Sequence, residues 1–212
     1  MPPSHETRIK ICGITRIEDA RSAVSFGAWA LGFVFYAKSP RYVALERARQ
    51  MISELKASGV QFVGVFVNPS MEELEQVVVA TGITMIQLHG NESVEFCGQV
   101  KQRFSLPIIK AFRLSETMPA AEVDFALLDH RSEAEWGGTG IAVDWNLASR
   151  VDREKLILAG GLTPENIKNA IEIVRPMAVD VSSGLELAPG VKSMQKMKNL
   201  FLQVLNADRS TL

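Results

Sequence analysis

The sequence predicts an α/β protein of one domain, built as a (β/α)8 barrel, also called a TIM barrel. Short β-rich runs alternate with helical patterns from one end of the chain to the other. Several of these runs are continuous in Val, Ile, Leu and Phe, as is typical of strands buried on both faces. An open doubly wound sheet is the alternative, but eight units of similar size favour closure into a barrel.

The elements follow one another in strand-then-helix order. Strands are predicted at residues 9–12, 30–35, 62–67, 85–88, 108–112, 125–129, 156–159 and 178–181. Among the helices between them, Thr15 followed by Glu18 has the spacing of a capping box. Ser70 followed by Glu73 has the same spacing. The segment after the fifth strand is short and carries Pro119, so its helix is expected to be short or missing.

Composition limits the classes of protein to which the chain can belong. It has 212 residues, 47% hydrophobic and 22% charged, which suits a single domain over 1–212, with 1–8 as a flexible tail. A formal net charge of -1 gives no basic footprint for nucleic acid. No stretch has the length and apolar character of a signal peptide or membrane span, so we expect a cytoplasmic protein. Cys12 and Cys97 have unrelated spacing, which fits a reducing compartment.

The residues that follow the predicted strands are candidate site residues, because TIM barrels carry their active sites at the carboxyl ends of the strands. Cys12 ends the first strand, Arg41 follows the second, His89 follows the fourth and Asp129 ends the sixth. The thiol and the carboxylate could act as base and acid on opposite sides of one substrate. Taken alone, Cys12 could equally be a buried apolar residue. His89 could be a structural histidine or a substrate contact.

Three glycine-rich loops follow the sixth, seventh and eighth strands. Their exposed backbone N–H groups could bind a phosphate, which barrels commonly hold after strands seven and eight. The alternative is that these glycines only form tight turns. The candidate phosphate-binding residues are Gly138, Thr139, Gly140, Gly160, Gly161, Ser182, Ser183 and Gly184.

The sequence predicts neither a metal nor a nucleotide cofactor. His89 and His130 lie on separate loops, and no set of His, Asp and Glu residues has ligand-like spacing. No Gly-x-Gly-x-x-Gly motif follows the first strand. The residues therefore point to a phosphorylated small molecule that is converted by proton transfer.

Several motifs, all in order, resemble one known family. They are KICGIT, KSPRYV, VGVFVN, IQLHG, LLD with GGTG, LAGGL, and DVSSGLE with GVKS. Together they resemble the phosphoribosylanthranilate isomerases of tryptophan biosynthesis, from about Ile9 to the final helix. Each motif is weak alone, but the ordered set is specific.

The resemblance implies an Amadori rearrangement of N-(5-phosphoribosyl)anthranilate to 1-(2-carboxyphenylamino)-1-deoxyribulose 5-phosphate. It implies that Asp129 is the general acid, that Cys12 is the general base, and that Arg41 holds the anthranilate carboxylate. The three glycine-rich loops match the family's phosphate site, and His89 is expected at the substrate. The expected partner is a phosphosugar, with no cofactor, no metal, no nucleic acid and no membrane, and the protein is expected to be a monomer or homodimer.

Two other functions remain open at this stage. One is the histidine-pathway isomerase, which performs the same rearrangement on a larger substrate. That enzyme would favour a carboxylate in place of Cys12 and repeated halves with two phosphate sites, and no clear half-repeat is present. The other is a barrel that binds a phospholigand without catalysis, which only a measurement of turnover can exclude.

Overall fold

Eight parallel strands form a closed barrel in sequential order, and the last strand pairs with the first. This is seen in a computed structural model that describes residues 6–112, 123–129 and 152–210. The strands are β1 Arg8–Cys12, β2 Ala30–Val34, β3 Gln61–Phe66, β4 Met85–Leu88, β5 Ile108–Phe112, β6 Phe125–Leu128, β7 Leu156–Leu158 and β8 Ala178–Val181. The predicted barrel is confirmed.

Helices follow most of the strands within the described residues. They are α1 Ile17–Ser25, α2 Leu45–Leu55, α3 Met71–Thr81, α4 Val94–Phe104, α5 Ile167–Val174 and α6 Met194–Ser210. Short 3-10 helices cover Lys56–Ser58 and Ser183–Leu185, and a small antiparallel pair joins β9 Glu186–Ala188 to β10 Val191–Lys192. No described helix is long and apolar enough to cross a membrane. The helix expected to be short or missing would fall at 113–122, outside the described residues.

One of the two predicted capping boxes is present. Ser70 caps α3, with its hydroxyl accepting from the Glu73 N–H and the Glu73 carboxylate accepting from the Ser70 N–H. The box predicted at Thr15 is wrong: the residue that precedes α1 is Arg16, and the Thr15 hydroxyl donates to the Gly190 carbonyl at 2.6 Å. That carbonyl lies in the turn between β9 and β10, so the Thr15 side chain joins two distant loops and α1 begins at Ile17 without a side-chain cap.

The strands separate two apolar layers because successive side chains point to opposite faces. Outward residues such as Leu31 and Phe33 belong to the larger cluster, which fills the space between strands and helices. Inward residues such as Val63, Val65 and Leu127 fill the barrel itself. The barrel is therefore a packed core on which the site is built.

Thr7 and Arg8, which fall within the predicted flexible tail, are held in the barrel. Arg8 already pairs in β1, and Thr7 is held by Asp208 near the end of α6. The Thr7 N–H and hydroxyl donate to the Asp208 carboxylate at 3.0 and 2.7 Å. The last two residues of the predicted tail are thus fixed by hydrogen bonds that the sequence pattern does not reveal. Residues 1–5 lie outside the described residues, and the single domain over 1–212 stays a prediction.

Candidate active site

A pocket at the carboxyl ends of the strands brings together most of the predicted site residues. It comprises about 750 Å³ between protein atoms, part of it open to solvent. Its lining includes Cys12, Arg41, His89, Asp129, Gly160, Gly161, Ser182 and Ser183. Gln87 and Asp180, which the sequence did not single out as site residues, also line it. The predicted Gly138, Thr139 and Gly140 lie outside the described residues.

Cys12 is the last residue of β1 and lies against Gly32 of β2, with which it is paired. A Cβ atom at position 32 would lie 2.8 Å from the Cys12 sulfur, closer than real contacts allow. Gly32 therefore makes the space that the thiol occupies. The sequence did not reveal this role, because a glycine within an apolar strand gives no signal of what it faces.

A buried ion pair lies beneath the thiol. Lys10 is two residues before Cys12 on the same inward side of β1, and its Nζ donates to Asp180 Oδ2 at 2.8 Å. Burial alone would lower the pKa of Lys10, but the charges of Asp180 and Cys12 raise it, so Lys10 stays an ammonium group. Burial raises the pKa of the Cys12 thiol, while Lys10 and Lys192 act in the opposite direction. The two lysines thus partly offset the cost of forming a buried thiolate.

Breaking this ion pair is expected to destabilise the barrel. In Lys10→Met the Asp180 carboxylate is left buried without its cation, so we expect the free energy of unfolding in urea to fall by about 3–5 kcal/mol. The double variant Lys10→Met/Asp180→Asn removes both charges and is expected to recover much of that loss. Equal instability of the single and double variants would mean that packing, and not the charge of Asp180, limits stability here.

Asp129 follows β6 and lies next to His89, which follows β4. His89 Nε2 is 3.2 Å from Asp129 Oδ2, and the side-chain amide nitrogen of Gln87 is 2.8 Å from His89 Nδ1. All three residues are buried. His89, predicted as a substrate contact, therefore has a protein partner in the candidate acid.

Arg41 is oriented by Glu186 of β9. Its Nε and Nη2 donate to the two carboxylate oxygens of Glu186 at 2.9 and 2.8 Å, and Lys192 Nζ donates to the same carboxylate at 2.9 Å. Burial alone would raise the pKa of Glu186, but Arg41 and Lys192 lower it, so the carboxylate stays ionised. A Cβ atom at Gly13 would lie 2.7 Å from Arg41 Cδ, so Gly13 leaves room for this side chain.

The two described glycine-rich loops meet at one side of the pocket. Gly160 and Gly161 have φ angles of 83° and 64°, in the left-handed region that favours glycine. Gly184 does not line the pocket; it lies so close to the Leu162 carbonyl that any Cβ atom would clash. Within the described residues, the N–H groups of Gly160, Gly161 and Ser183 donate to no backbone carbonyl. Such donors suit an oxyanion.

No three His, Cys, Asp or Glu side chains among the described residues are grouped so that they could hold a metal ion. Asp129, Cys12 and Arg41 each have a charged or hydrogen-bonding neighbour: His89, Lys10 and Glu186, respectively. The arrangement is thus suited to proton transfer on an anionic substrate.

Comparison with known proteins agrees with this chemistry. A family described as N-(5'phosphoribosyl)anthranilate (PRA) isomerase matches residues 9–203. The chain belongs to this isomerase family. A relative from Citrifermentans bemidjiense, named N-(5'-phosphoribosyl)anthranilate isomerase, is 45% identical over 203 residues, covering 93% of this chain and 96% of the relative. The predicted isomerase of tryptophan biosynthesis is confirmed at the level of the family.

Solved structures of the isomerase family share the fold. Phosphoribosyl anthranilate isomerase from Thermotoga maritima is 40% identical with a TM-score of 0.84, covering 94% of this chain and 99% of that one. Another structure of the enzyme, in complex with reduced 1-(o-carboxyphenylamino)-1-deoxyribulose 5-phosphate, is 38% identical with a TM-score of 0.79 and the same coverage. The TIM barrel and the isomerase class of this chain therefore rest on sequence and structure together.

Proposed function

We propose that the protein isomerises N-(5-phosphoribosyl)anthranilate to 1-(2-carboxyphenylamino)-1-deoxyribulose 5-phosphate, with Asp129 as general acid and Cys12 as general base. The observation that carries this proposal is one pocket lined by both groups, by Arg41 and by a glycine-rich loop that suits phosphate. The isomerase class follows from the family. The roles of the residues are our assignment.

Asp129 would act first. Its carboxyl proton is transferred to the furanose ring oxygen, the bond between C1 and that oxygen breaks, and the nitrogen lone pair forms a C=N bond. Because Asp129 is buried beside His89, the resulting carboxylate keeps a hydrogen-bond donor close by. The product of this step is an open-chain Schiff base.

Cys12 would act second. The Schiff base acidifies the hydrogen on C2, so a thiolate of modest basicity can remove it. The electrons of the C2–H bond form a C1=C2 bond and those of the C=N bond return to nitrogen, giving an enolamine. One proton is then added to C1 and another is lost from the C2 hydroxyl, which yields the ketone. Substrate and product have the same atoms after these steps, as an isomerisation requires.

Substrate binding would use the negative charges at the two ends of the molecule, the anthranilate carboxylate and the phosphate. Arg41 offers the anthranilate carboxylate a guanidinium held in place by Glu186. The N–H groups of Gly160, Gly161 and Ser183 would hold the phosphate, with Ser182 beside them and Gly184 allowing the loops to approach. The loop with Gly138, Thr139 and Gly140 remains part of this proposed phosphate site.

Arg41→Ala is expected to raise KM by about tenfold or more while changing kcat much less, because a charge-assisted contact made equally in ground and transition states supports binding. Steady-state kinetics would measure both constants. The matched control is Arg21→Ala, an exposed arginine of α1 that pairs with Glu54 away from the pocket. An unchanged KM in Arg41→Ala would place the carboxylate elsewhere.

Turnover of freshly prepared phosphoribosylanthranilate tests the activity directly. Loss of the substrate's fluorescence should be rapid in buffer containing a chelator, because each proposed step is a proton transfer by a side chain. No conversion by a folded sample would contradict the proposal. It would then favour the isomerase with the larger substrate, which the same sample could be given next, or a barrel that only binds.

The setting of the reaction is also proposed. We place the protein in the cytoplasm, because its two cysteines have no disulfide-like spacing and the substrate belongs to amino-acid biosynthesis. We expect a monomer or homodimer without nucleic-acid partners. A related structure from Thermotoga maritima is described as monomers generated from a dimeric enzyme. Sedimentation of the purified chain would decide between the two states.

A further inference from the structure

A chain of close polar contacts runs from Gln87 through His89 to Asp129, and Gln87 has no part in the mechanism above. The Gln87 amide nitrogen lies 2.8 Å from His89 Nδ1, and His89 Nε2 lies 3.2 Å from Asp129 Oδ2. All three side chains are buried and line the same pocket. Gln87 does not contact the candidate acid Asp129 directly, but it is linked to Asp129 through His89.

The contact with Gln87 favours one tautomer of His89. A side-chain amide nitrogen donates and does not accept, so Nδ1 is the acceptor in this contact. A neutral imidazole that accepts at Nδ1 has its hydrogen on Nε2. That N–H then faces Asp129 Oδ2, which lies 3.2 Å from Nε2.

The backbone after His89 is anchored, so the histidine has a fixed place. Gly90 N–H donates to the two carboxylate oxygens of Glu92, each at 2.9 Å. Lys110 Nζ donates to Glu92 at 2.9 Å and to the Gly90 carbonyl at 2.8 Å. The side chains of Lys110 and Glu92 are only 8% and 2% exposed. An ion pair buried to this degree holds the backbone that follows His89 in place.

We propose that Gln87 is a positioning residue: it holds His89 in the Nε2–H tautomer, which orients the carboxyl of Asp129 and stabilises the carboxylate formed when the proton leaves. This inference rests on the proposed role of Asp129 as the acid. A hydrogen bond to a carboxylate is stronger than one to a neutral carboxyl. The contact therefore strengthens along the reaction, and an interaction of that kind raises kcat and leaves KM largely unchanged.

The tautomer can be observed without any assay of activity. The chain has three histidines, and the signals that disappear from a long-range 1H–15N correlation spectrum in His89→Asn belong to His89. We expect the Nε2–H pattern in the wild type. In Gln87→Glu, a carboxylate that accepts from Nδ1 is expected to give the Nδ1–H form or the imidazolium. A wild-type His89 with its hydrogen on Nδ1 would overturn the proposal.

Kinetics give the second readout. Gln87→Met keeps the length of the side chain but cannot donate, and we expect it to lower kcat by about tenfold to a hundredfold. KM should stay within about twofold, since substrate binding is not involved. The matched control is Gln195→Met on α6, where the same change at an exposed glutamine should leave both constants unaltered.

The outcomes separate this proposal from the proposed function. Wild-type kcat in Gln87→Met, or a raised KM with kcat unchanged, would overturn the positioning role while leaving Asp129 as the acid. A folded wild type that fails to convert phosphoribosylanthranilate would contradict the function, yet the tautomer of His89 could still be measured. If Gln87→Met does not fold, the wild-type spectrum alone decides.

Discussion

Asp129→Asn is expected to lower kcat by about a hundredfold or more, because an amide cannot deliver a proton to the ring oxygen. The side chain keeps its size and its place next to His89, so KM is expected to change far less. The loss should persist at every pH at which the protein is folded, since no titration restores an acid to asparagine. Single-turnover kinetics with excess enzyme would measure the chemical step itself.

The control for this variant is Asp152→Asn, an exposed aspartate before the amino end of β7 and outside the pocket lining, whose change is chemically identical. It is expected to behave as wild type. Near-wild-type turnover by Asp129→Asn would remove Asp129 from the role of acid. A melting temperature much below that of wild type would instead attribute the lost activity to unfolding, which circular dichroism can detect in the same sample.

Cys12→Ala is expected to lower kcat by about a hundredfold or more, because no other group is assigned to remove the hydrogen from C2. Its control is Cys97→Ala in α4, which removes a cysteine that is wholly buried in the outer core. If Cys12 only filled space, the two variants would lose stability alike and both would keep activity. We expect Cys97→Ala to lose stability and keep kcat, and Cys12→Ala to do the reverse.

The buried thiol of Cys12 also leads us to expect that kcat depends on pH. Burial raises the pKa of Cys12, and the thiolate is the basic form, so kcat and the rate of alkylation by iodoacetamide should rise as pH increases toward that raised pKa. Measured in Cys97→Ala, alkylation reports on Cys12 alone, because the chain has two cysteines. A rate already level at about pH 7 would mean that the pKa lies below the 8.5 or so of a free thiol.

Most of the site residues could be predicted from one rule: polar residues at the carboxyl ends of barrel strands line the active site. Cys12, His89 and Asp129 lie at or just after the carboxyl ends of strands, and all three line the pocket. The rule has nothing to say about polar residues within a strand. Lys10 and Gln87 lie inside the barrel and contact the site from below, and neither was predicted. Side chains two positions apart in a strand point to the same face. This alternation would have placed Lys10 on the same side as Cys12, and Gln87 on the same side as His89.

Partners that are distant in sequence could not be predicted at all. Arg41 was predicted to hold the carboxylate of the substrate, and the structure adds a protein partner, Glu186, 145 residues later. Nothing in the local pattern around Ser-Pro-Arg indicates that partner, because the contact exists only once β9 lies beside the rim. The Thr15 capping box failed for a related reason: Gly190 supplies a carbonyl for its hydroxyl.

The pairing of β1 with β8 has a consequence for the folding of this enzyme during its synthesis on the ribosome. The Lys10–Asp180 pair beneath the thiol joins residues 170 positions apart, and Thr7 is tied to Asp208 across 201 positions. A nascent chain that lacks its final strand therefore has neither a closed cylinder nor the carboxylate that balances Lys10. The protein is therefore expected to be inactive until its synthesis is nearly complete. A chain truncated near its carboxyl terminus is expected to lose activity entirely and not to retain a reduced rate.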